Sequence, residues 1–359
     1  MQEFLISELL WPQISCGCVA GEEFLFPAAN YNGIFSLNLQ TGQIVFKAYF
    51  AKEEYAAAYL SSACLCSGKK VFFAPDSGSY FQLYDMEECK VKLLESELEG
   101  SHGSYSRMIQ HGTKIYGFPI TGENMQILDI ESEEVESVYN IADKFRESFQ
   151  KQFHIFSDSN LFLYKENIYG AMWEEPVIYR FDVKRKKISF IQLPDSKDGF
   201  VQMAGRDGKL FLLGKEPILL VYDIEQERTV DAIHIASDRG TVNFRNGYVL
   251  DDFLHFYSYA DNLFLKIDIG SKKPQVSSIE KEWGIATEQG ERYRSILVGN
   301  YASPVLISNK GKIVWTNKEG DCVKSQNISY RSDYKWVQTY QKNCRLIFNE
   351  SCFIDLKKF

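Results

Sequence analysis

Short hydrophobic runs, paired across turns, recur along the whole chain. The clearest pair lies in residues 68–86, where an apolar run at 71–73 is followed by a Pro–Asp–Ser–Gly turn and a second apolar run at 80–84. β-Branched and aromatic residues fit a pleated, half-buried surface, and the four turn residues favour chain reversal. Neither run is long enough for an ordinary helix, so the stretch predicts a β-hairpin.

The hairpin pattern repeats with a regular spacing. The second run of each pair ends at an Asn or Asp, and these residues are Asn38, Asp85, Asp129, Asp182, Asp223, Asp268, Asn317 and Asp355. Successive spacings are 47, 44, 53, 41, 45, 49 and 38 residues. A further apolar run precedes and follows most hairpins, which makes four strands per unit.

A period in the forties with four strands per unit is typical of β-propeller blades. We therefore predict an all-β fold: a single β-propeller domain over residues 1–359, with about eight four-stranded antiparallel blades. Seven blades is the alternative, because the unit at 293–328 is the least regular. The last unit has only three apolar runs, and residues 2–9 form an apolar run without a partner. We expect this N-terminal strand to join the C-terminal blade and close the ring.

One connection predicts a short helix. Residues 140–151 place Ile141, Phe145 and Phe149 on one helical face, with Asn140 as an N-cap and Asp143 in the first turn. We predict a helical insertion between the third and fourth blades. It either covers a groove between the blades or docks a partner.

Charge and composition narrow the function classes. The formal net charge is −8 and there is no basic block, which disfavours nucleic acid as a partner. No apolar run approaches the length of a membrane span, and the N-terminus lacks the basic region of a secretory signal. We therefore expect a cytoplasmic, monomeric protein whose 8 cysteines are reduced thiols.

Motifs for catalysis or metal binding are missing from the sequence. It contains no nucleophile elbow, phosphate-binding loop, dinucleotide fingerprint or His-rich metal motif. Two Cys-x-Cys pairs, at 16–18 and 64–66, offer either four sulfurs to zinc or small apolar side chains to a crowded inner strand. We favour packing, and we predict no catalytic residue, no metal and no cofactor.

Aromatic residues, often with an arginine nearby, recur in the connections that lead into each first strand. In a propeller these connections converge at the mouth of the central channel, where aromatic and guanidinium groups suit a polar ligand or a peptide. The alternative is that each aromatic packs between blades. The predicted ligand- or partner-binding residues are Tyr105, Arg107, Phe200, Arg239, Tyr293, Arg294, Tyr334 and Trp336.

The blades resemble those of kelch-like and quinoprotein-like propellers. The segment LNLQTGQIVF at 37–46 is similar to the tryptophan-docking repeat of quinoprotein propellers, with Thr41 and Gly42 at its turn, although the usual Trp is absent. The resemblance implies the β-propeller fold only, and it does not imply a cofactor or any catalytic residue.

The expected function is therefore a non-catalytic binding or scaffold module for a protein, a peptide or a small polar ligand at the channel mouth. The alternative is a propeller enzyme of the glycan hydrolase or lyase type that uses carboxylates facing the channel.

Overall fold

In the part of the chain that the structure describes, the strands form seven sheets. Each sheet is a meander in which consecutive strands pair, and one sheet has an additional short strand at its edge. The computed structural model describes residues 12–14, 16–54, 57–94, 104–120, 124–150, 159–236, 241, 244–258, 261–287, 291–297 and 304–330. The chain separates into two compact units, Met1–Glu95 with Ile328–Phe359 and Ser96–Asn327. We call each sheet a blade and its first strand the inner strand.

The described residues of the first unit form two blades. Blade 1 has β1 (Cys18–Ala20), β2 (Glu23–Pro27), β3 (Ile34–Asn38), β4 (Gln43–Ala48) and, at its edge, β29 (Ser329–Tyr330). Blade 2 has β5 (Ser61–Ser67), β6 (Lys70–Pro75), β7 (Phe81–Asp85) and β8 (Lys90–Leu94). The short strand β29 pairs in parallel with β4, so the chain returns to blade 1 after the last blade.

The second unit contains five blades. Blade 3 has β9 (Tyr105–His111), β10 (Lys114–Pro119), β11 (Asn124–Asp129) and β12 (Glu134–Asn140). Blade 4 has β13 (Phe162–Tyr164), β14 (Asn167–Ala171), β15 (Val177–Asp182) and β16 (Lys187–Gln192). Blade 5 has β17 (Phe200–Arg206), β18 (Lys209–Gly214), β19 (Ile218–Asp223) and β20 (Arg228–His234). Blade 6 has β21 (Phe244–Leu250), β22 (Phe253–Ser258), β23 (Leu263–Asp268) and β24 (Lys273–Ser278). Blade 7 has β25 (Tyr293–Leu297), β26 (Pro304–Ser308), β27 (Lys312–Thr316) and β28 (Cys322–Asn327).

The predicted hairpins form the two middle strands of the blades. In blade 2 the hairpin at 68–86 becomes β6 and β7, with Val71 opposite Tyr84 and Lys70 opposite Asp85. Middle strands are covered on both faces, which explains their nearly continuous apolar runs. The fourth strands have one covered face, and β20 accordingly alternates between exposed and partly buried residues over most of its length.

The recurring Asp closes the turn between the third and fourth strands. In blade 2, Oδ1 of Asp85 accepts hydrogen bonds from the N–H groups of Glu87 and Glu88 at 2.8 and 2.9 Å. The equivalent oxygens of Asn38, Asp129, Asp182, Asp223 and Asp268 accept from the same turn. The residue four positions later has a positive φ in each of these blades: Gly42, Cys89, Glu133, Lys186, Glu227 and Lys272. The acid is therefore a turn residue that ends one strand and starts the next.

The predicted helix is present. Helix α1 (Ile141–Phe149) begins after Asn140, whose side chain accepts a hydrogen bond from the N–H of Asp143 at 2.9 Å. Phe145 is buried and contacts Phe149 and Phe190, so the apolar face of α1 packs onto blades 3 and 4. A second, shorter helix, α2 (Ile279–Trp283), follows blade 6.

The described residues form seven blades, which is the alternative to the expected eight. The unit at 293–328, expected to be the least regular, forms a complete four-stranded sheet as blade 7. The eighth hairpin copy, at 344–356, and the predicted closing strand, at 2–9, lie outside the described residues. A single domain over the whole chain stays a prediction.

Candidate functional site

The inner strand begins with an aromatic residue in five blades. In blade 4 this residue is Phe162, which is partly buried. The other four are Tyr105, Phe200, Phe244 and Tyr293, at the starts of β9, β17, β21 and β25. Each side chain is no more than 2% exposed. Inner strands of neighbouring blades lie side by side, as β17 and β21 do, so their first residues are positions of dense packing.

Three of these aromatics were predicted to contact a ligand, and each has a packing role in the structure. The Tyr105 hydroxyl donates to the carbonyl oxygen of Asn124 at 3.4 Å, and burial raises the pKa of Tyr105. Phe200 belongs to a buried cluster that spans blades 4 and 5, and Tyr293 to one that spans blades 6 and 7. Their rings offer little surface to a ligand.

Arg107 does not point into open solvent, because its guanidinium joins three segments of the second unit. Its Nη2 donates to Oδ1 of Asn246 in blade 6 at 2.7 Å, and its Nε donates to Oδ1 of Asn160 at 3.4 Å. Asn160 in turn donates from Nδ2 to the carbonyl oxygen of Gly247. We call Arg107, Asn160, Asn246 and Gly247 the polar bridge. It brings inner-strand residues of blades 3 and 6 together.

The other predicted site residues are only partly described. Arg294 lies in β25, where its backbone pairs with that of Ile307. Arg239, Tyr334 and Trp336 lie outside the described residues.

Exposed aromatic surface is concentrated on blade 2. Among the described residues the exposed large apolar side chains are Val45, Tyr59, Tyr80, Val230 and Val323. Tyr59 is 56% exposed and Tyr80 is 37% exposed. Tyr59 precedes β5 and Tyr80 precedes β7, and these strands start at the same end of the blade. We call Lys52, Tyr59 and Tyr80 the tyrosine surface.

Hydrogen bonds hold the backbone of Tyr59 in a left-handed conformation with φ of 54°. Its N–H donates to the carbonyl oxygen of Ala29 at 2.9 Å, and its carbonyl oxygen accepts from the N–H of Ser77 at 2.9 Å. The Ser77 hydroxyl donates to the same oxygen at 3.0 Å. A non-glycine residue in this region costs about 1–2 kcal/mol. The surrounding backbone therefore imposes a conformation that a tyrosine does not favour.

A buried asparagine fixes the loop that carries Lys52. Nδ2 of Asn32 donates to the carbonyl oxygens of Phe50 and Glu53, both at 3.2 Å, and Oδ1 of Asn32 accepts from the N–H of Phe50 at 2.7 Å. Oε1 of Glu53 accepts from the N–H of Ser79 at 3.2 Å. The loop before Tyr59 is thereby tied to the loop before Tyr80.

Lys52 adds a positive charge to this surface. Its Nζ lies 5.7 Å from the centre of the Tyr80 ring, within the range of a cation–π interaction. Lys52 also has a positive φ, of 59°. Two of the three members of the tyrosine surface are thus non-glycine residues in a left-handed conformation.

Tyr59 is not among the binding residues predicted from the sequence, and Tyr80 belongs to the predicted apolar run at 80–84. The signal that separates Tyr59 from the buried aromatics is its position. It lies two residues before its inner strand, whereas the others are the first residue of theirs. This difference in register is visible only once the strands are aligned.

Titratable groups in the described residues have structural roles. The carboxyls whose pKa is shifted, those of Asp85, Asp129, Glu136, Glu225, Asp231 and Asp268, all have a lowered pKa. The largest causes are lysine partners or turn N–H groups. Such carboxyls stay ionised at neutral pH, whereas a general acid needs a raised pKa.

Metal ligands are not grouped in the described part of the chain, where no set of three His, Cys, Asp or Glu residues is arranged to hold an ion. Of the histidines, His255 is buried, and its Nε2 lies 3.1 Å from the carbonyl oxygen of Lys318. Burial lowers the pKa of His255 to about 4. Neither α1 nor α2 has the length and apolar character needed to cross a bilayer.

Comparison with solved structures identifies the fold. BamB from Moraxella catarrhalis superposes with a TM-score of 0.53 over 86% of this chain and 83% of its own, at 9% identity. The structure of U3-55K gives 0.55 over 74% of this chain and 80% of its own, at 8% identity. The RRP9 WD40 repeats give 0.54 over 74% and 79%, at 9% identity. No family model and no curated protein matches the sequence.

These comparisons confirm the β-propeller class, and with the seven sheets they make the chain an all-β seven-bladed β-propeller. They assign no family, and they do not support the kelch-specific part of the resemblance. At such low identity the likeness extends to the fold alone.

Proposed function

We propose that this chain is a non-catalytic β-propeller binding module, and that its partner docks on the tyrosine surface of blade 2. The observation that carries the proposal is Tyr59. Its ring is more than half exposed, while its backbone is held by Ala29 and Ser77 in a conformation that a glycine would adopt more easily. Strain maintained by surrounding structure is a feature of ligand-binding positions.

The chemistry of the surface suits a protein or peptide segment. Tyrosine buries a large area with few rotatable bonds and keeps a hydroxyl for hydrogen bonding, so it is a frequent anchor of interfaces. The Lys52 ammonium lies over the Tyr80 ring and adds a positive charge to the surface. A segment with an apolar or planar side chain and an acidic group complements this arrangement. A small polar ligand that carries a planar and an acidic group is the alternative occupant of this surface.

Several predictions from the sequence stay part of the proposal. The net charge of −8 favours a partner other than nucleic acid, and the chain is proposed to act in the cytoplasm as a monomer. The lowered pKa values of the described carboxyls favour binding over hydrolysis, since none of those groups is prepared to donate a proton at neutral pH. BamB and the WD40 repeats share the fold, which tells nothing of this chain's partner.

A matched pair of variants tests the proposal. Tyr59→Asn removes the ring and keeps a residue that tolerates positive φ, so the backbone around it is preserved. Val230→Ala removes exposed apolar surface from blade 5 and serves as the control. Immobilised wild-type protein and both variants are incubated with lysate, and the bound proteins are quantified by mass spectrometry.

We expect a specific protein to be retained by wild type and by Val230→Ala and lost with Tyr59→Asn, by at least about tenfold, as expected for an interface anchor. Parallel screens on peptide and glycan arrays cover the smaller ligands. Equal retention of the partner by Tyr59→Asn and wild type would contradict the proposal that the tyrosine surface is the docking site. If no protein, peptide or glycan is bound, the proposal that the chain is a binding module is wrong.

A further inference from the structure

The turn that joins β15 to β16 in blade 4 carries an unbroken run of basic residues. Lys184, Arg185, Lys186 and Lys187 follow one another, and each of them is exposed. We call these four residues the basic turn. It is the longest run of Lys and Arg in a chain whose formal net charge is −8. The run is shorter than the basic segments of about five to eight residues that are typical of nucleic-acid binding.

The backbone of the basic turn is fixed by the blade that carries it. Oδ1 of Asp182 accepts a hydrogen bond from the N–H of Arg185 at 2.8 Å, and Lys186 has the positive φ, of 51°, that closes the turn. Lys187 then pairs with Asp182 as β16 begins. A partner that docks here therefore has to order side chains but no flexible backbone, which lowers the cost of binding.

Most of the charge on the basic turn is not neutralised by neighbouring acids. In the part of the chain that the structure describes, Lys184 and Lys187 form no ion pair. The Arg185 side chain is 82% exposed, and its Nε lies 3.8 Å from Oδ2 of Asp182, beyond the length of a hydrogen bond. Lys184, Arg185 and Lys187 are therefore available to an anionic group.

Acidic residues lie on both sides of the basic turn. Nζ of Lys186 donates to Oε1 of Glu136 in blade 3 at 2.8 Å, and Nη1 of Arg180 in blade 4 donates to Oε1 of Glu227 in blade 5 at 3.0 Å. The turns of blades 3 and 5 that correspond to the basic turn carry acids at Glu131, Glu133, Glu134, Glu225 and Glu227. The positive potential is therefore confined to a single turn.

We propose that the basic turn is a docking site for a short acidic segment of a partner protein. A run of about three Asp or Glu residues matches the three available cations, and the Arg185 guanidinium can donate two hydrogen bonds to one carboxylate. The site is separate from the tyrosine surface, because it lies in the second unit and requires charge rather than an aromatic contact.

The flanking glutamates distinguish this partner from wider anionic surfaces. A nucleic acid or an anionic bilayer that reaches the basic turn also extends over the acidic turns of blades 3 and 5, where like charges repel it. A short acidic segment contacts the basic turn without approaching the glutamates on either side. The charge pattern therefore favours a compact anionic peptide.

The test measures binding of a labelled peptide to the full chain by fluorescence anisotropy. The probe has four glutamates between glycine–serine segments, and its control has four glutamines in their place. The basic-turn variant combines Lys184→Gln, Arg185→Gln and Lys187→Gln. It keeps Lys186, whose ion pair with Glu136 links blades 4 and 3.

A matched control variant removes the same charge elsewhere in the second unit. It combines Lys197→Gln, Lys273→Gln and Lys281→Gln, at exposed lysines that form no ion pair with the described residues. At about 50 mM salt, where exposed charges are weakly screened, we expect wild type and the control variant to bind the glutamate peptide equally within about twofold. The basic-turn variant should bind it at least about fivefold more weakly, because three exposed ion pairs are lost.

Several outcomes would overturn the proposal. Equal affinities of wild type for the glutamate and glutamine peptides would show that charge is not recognised, and equal losses in the two triple variants would show that the basic turn has no special role. Tighter binding of a labelled single-stranded RNA or of phosphatidylserine vesicles than of the glutamate peptide, lost in the basic-turn variant, would assign the turn to those polyanions.

Self-association is measured by analytical ultracentrifugation. A wild-type dimer that is absent from the basic-turn variant would make the acidic turns of a second copy the occupant, and would contradict docking of a separate partner. A wild-type chain that stays monomeric while it binds the glutamate peptide supports the proposal. Circular dichroism and thermal unfolding verify that both triple variants are folded.

Discussion

Arg107 in blade 3 and Asn246 in blade 6 are joined by a hydrogen bond of 2.7 Å, although 139 residues separate them in sequence. Asn246 is the extra residue of a β-bulge, between the paired positions Arg245 and Gly247, and has a φ of 51°. Asparagine is one of the few residues that tolerate this conformation. The bulge takes Asn246 out of the strand ladder, and its amide is thereby available to the guanidinium.

The first prediction concerns this contact. Arg107→Ala should lower the free energy of unfolding by about 2–3 kcal/mol, because it removes charge-assisted hydrogen bonds from a partly buried group and leaves two amide oxygens without that donor. Arg107→Lys should restore less than half of the loss, since an ammonium lacks the planar fork that reaches two acceptors. Urea unfolding measures both variants.

Two comparisons sharpen the result. Arg185→Ala, at an exposed turn of blade 4, should change stability by less than about 0.5 kcal/mol. In a double-mutant cycle, Arg107→Ala and Asn246→Gly should be non-additive by about 1 kcal/mol or more, and additive effects would show that the contact does not stabilise the fold.

The second prediction is a pH dependence of stability due to His255. Burial lowers its pKa from 6.5 to about 4, so the folded state keeps the imidazole neutral while the unfolded state binds a proton below pH 6.5. Stability from this group is complete above pH 6.5 and falls as the pH drops toward 4. Between pH 7.5 and 5 the loss should be about 2 kcal/mol.

Urea unfolding at several pH values measures this loss. His255→Gln should flatten the dependence over the same range, whereas His234→Gln, at an exposed position of β20, should leave it unchanged. A wild-type curve and a His255→Gln curve with the same pH slope would contradict the assignment.

The third prediction concerns the turn at the end of β3. Gly42 has a φ of 71° at the position where five other blades carry a non-glycine residue of positive φ. Gly42→Ala should destabilise the protein by about 1 kcal/mol, because a Cβ is unfavourable in the left-handed region. Gly42→Asn should cost less than half as much, since asparagine tolerates this region. Thermal unfolding ranks the two variants, and an equal loss for both would point to a cause other than φ.

The fourth prediction separates binding from stability at Tyr59. Tyr59→Gly should leave the protein as stable as wild type or stabilise it by up to about 1 kcal/mol, because the strained conformation is relieved. Partner binding should nevertheless be lost. By contrast, Tyr31→Ala, at a buried tyrosine of the same unit, should cost about 3 kcal/mol or more. A large destabilisation by Tyr59→Gly would mean that the tyrosine serves the fold.

Much of the fold was predictable because it depends on local patterns. The hairpin at 68–86, the acids that end the third strands and the helix after Asn140 are encoded by neighbouring residues that cap, turn or alternate. These features need no knowledge of distant contacts. The count of blades was less certain, because the irregular unit at 293–328 has weak local signals and still forms a complete sheet.

The candidate site was less predictable for a physical reason. From the sequence, Tyr59, Tyr105, Phe200 and Tyr293 look equivalent, because each lies near the start of a predicted first strand. A shift of two residues relative to the strand decides whether the ring enters a packed layer or stays exposed. That register depends on the hydrogen bonds of the Tyr59 backbone with Ala29 and Ser77, which lie elsewhere in the chain.

The sequence by itself determined the repeating unit of this protein, since strands, turns and the helix follow from interactions among residues close together in the chain. Only the tertiary structure decided which aromatics are buried and that Arg107 in blade 3 meets Asn246 in blade 6. These outcomes depend on how inner strands of different blades approach one another. Burial and long-range distances are properties of the packed chain, and a local pattern of polar and apolar residues does not contain them.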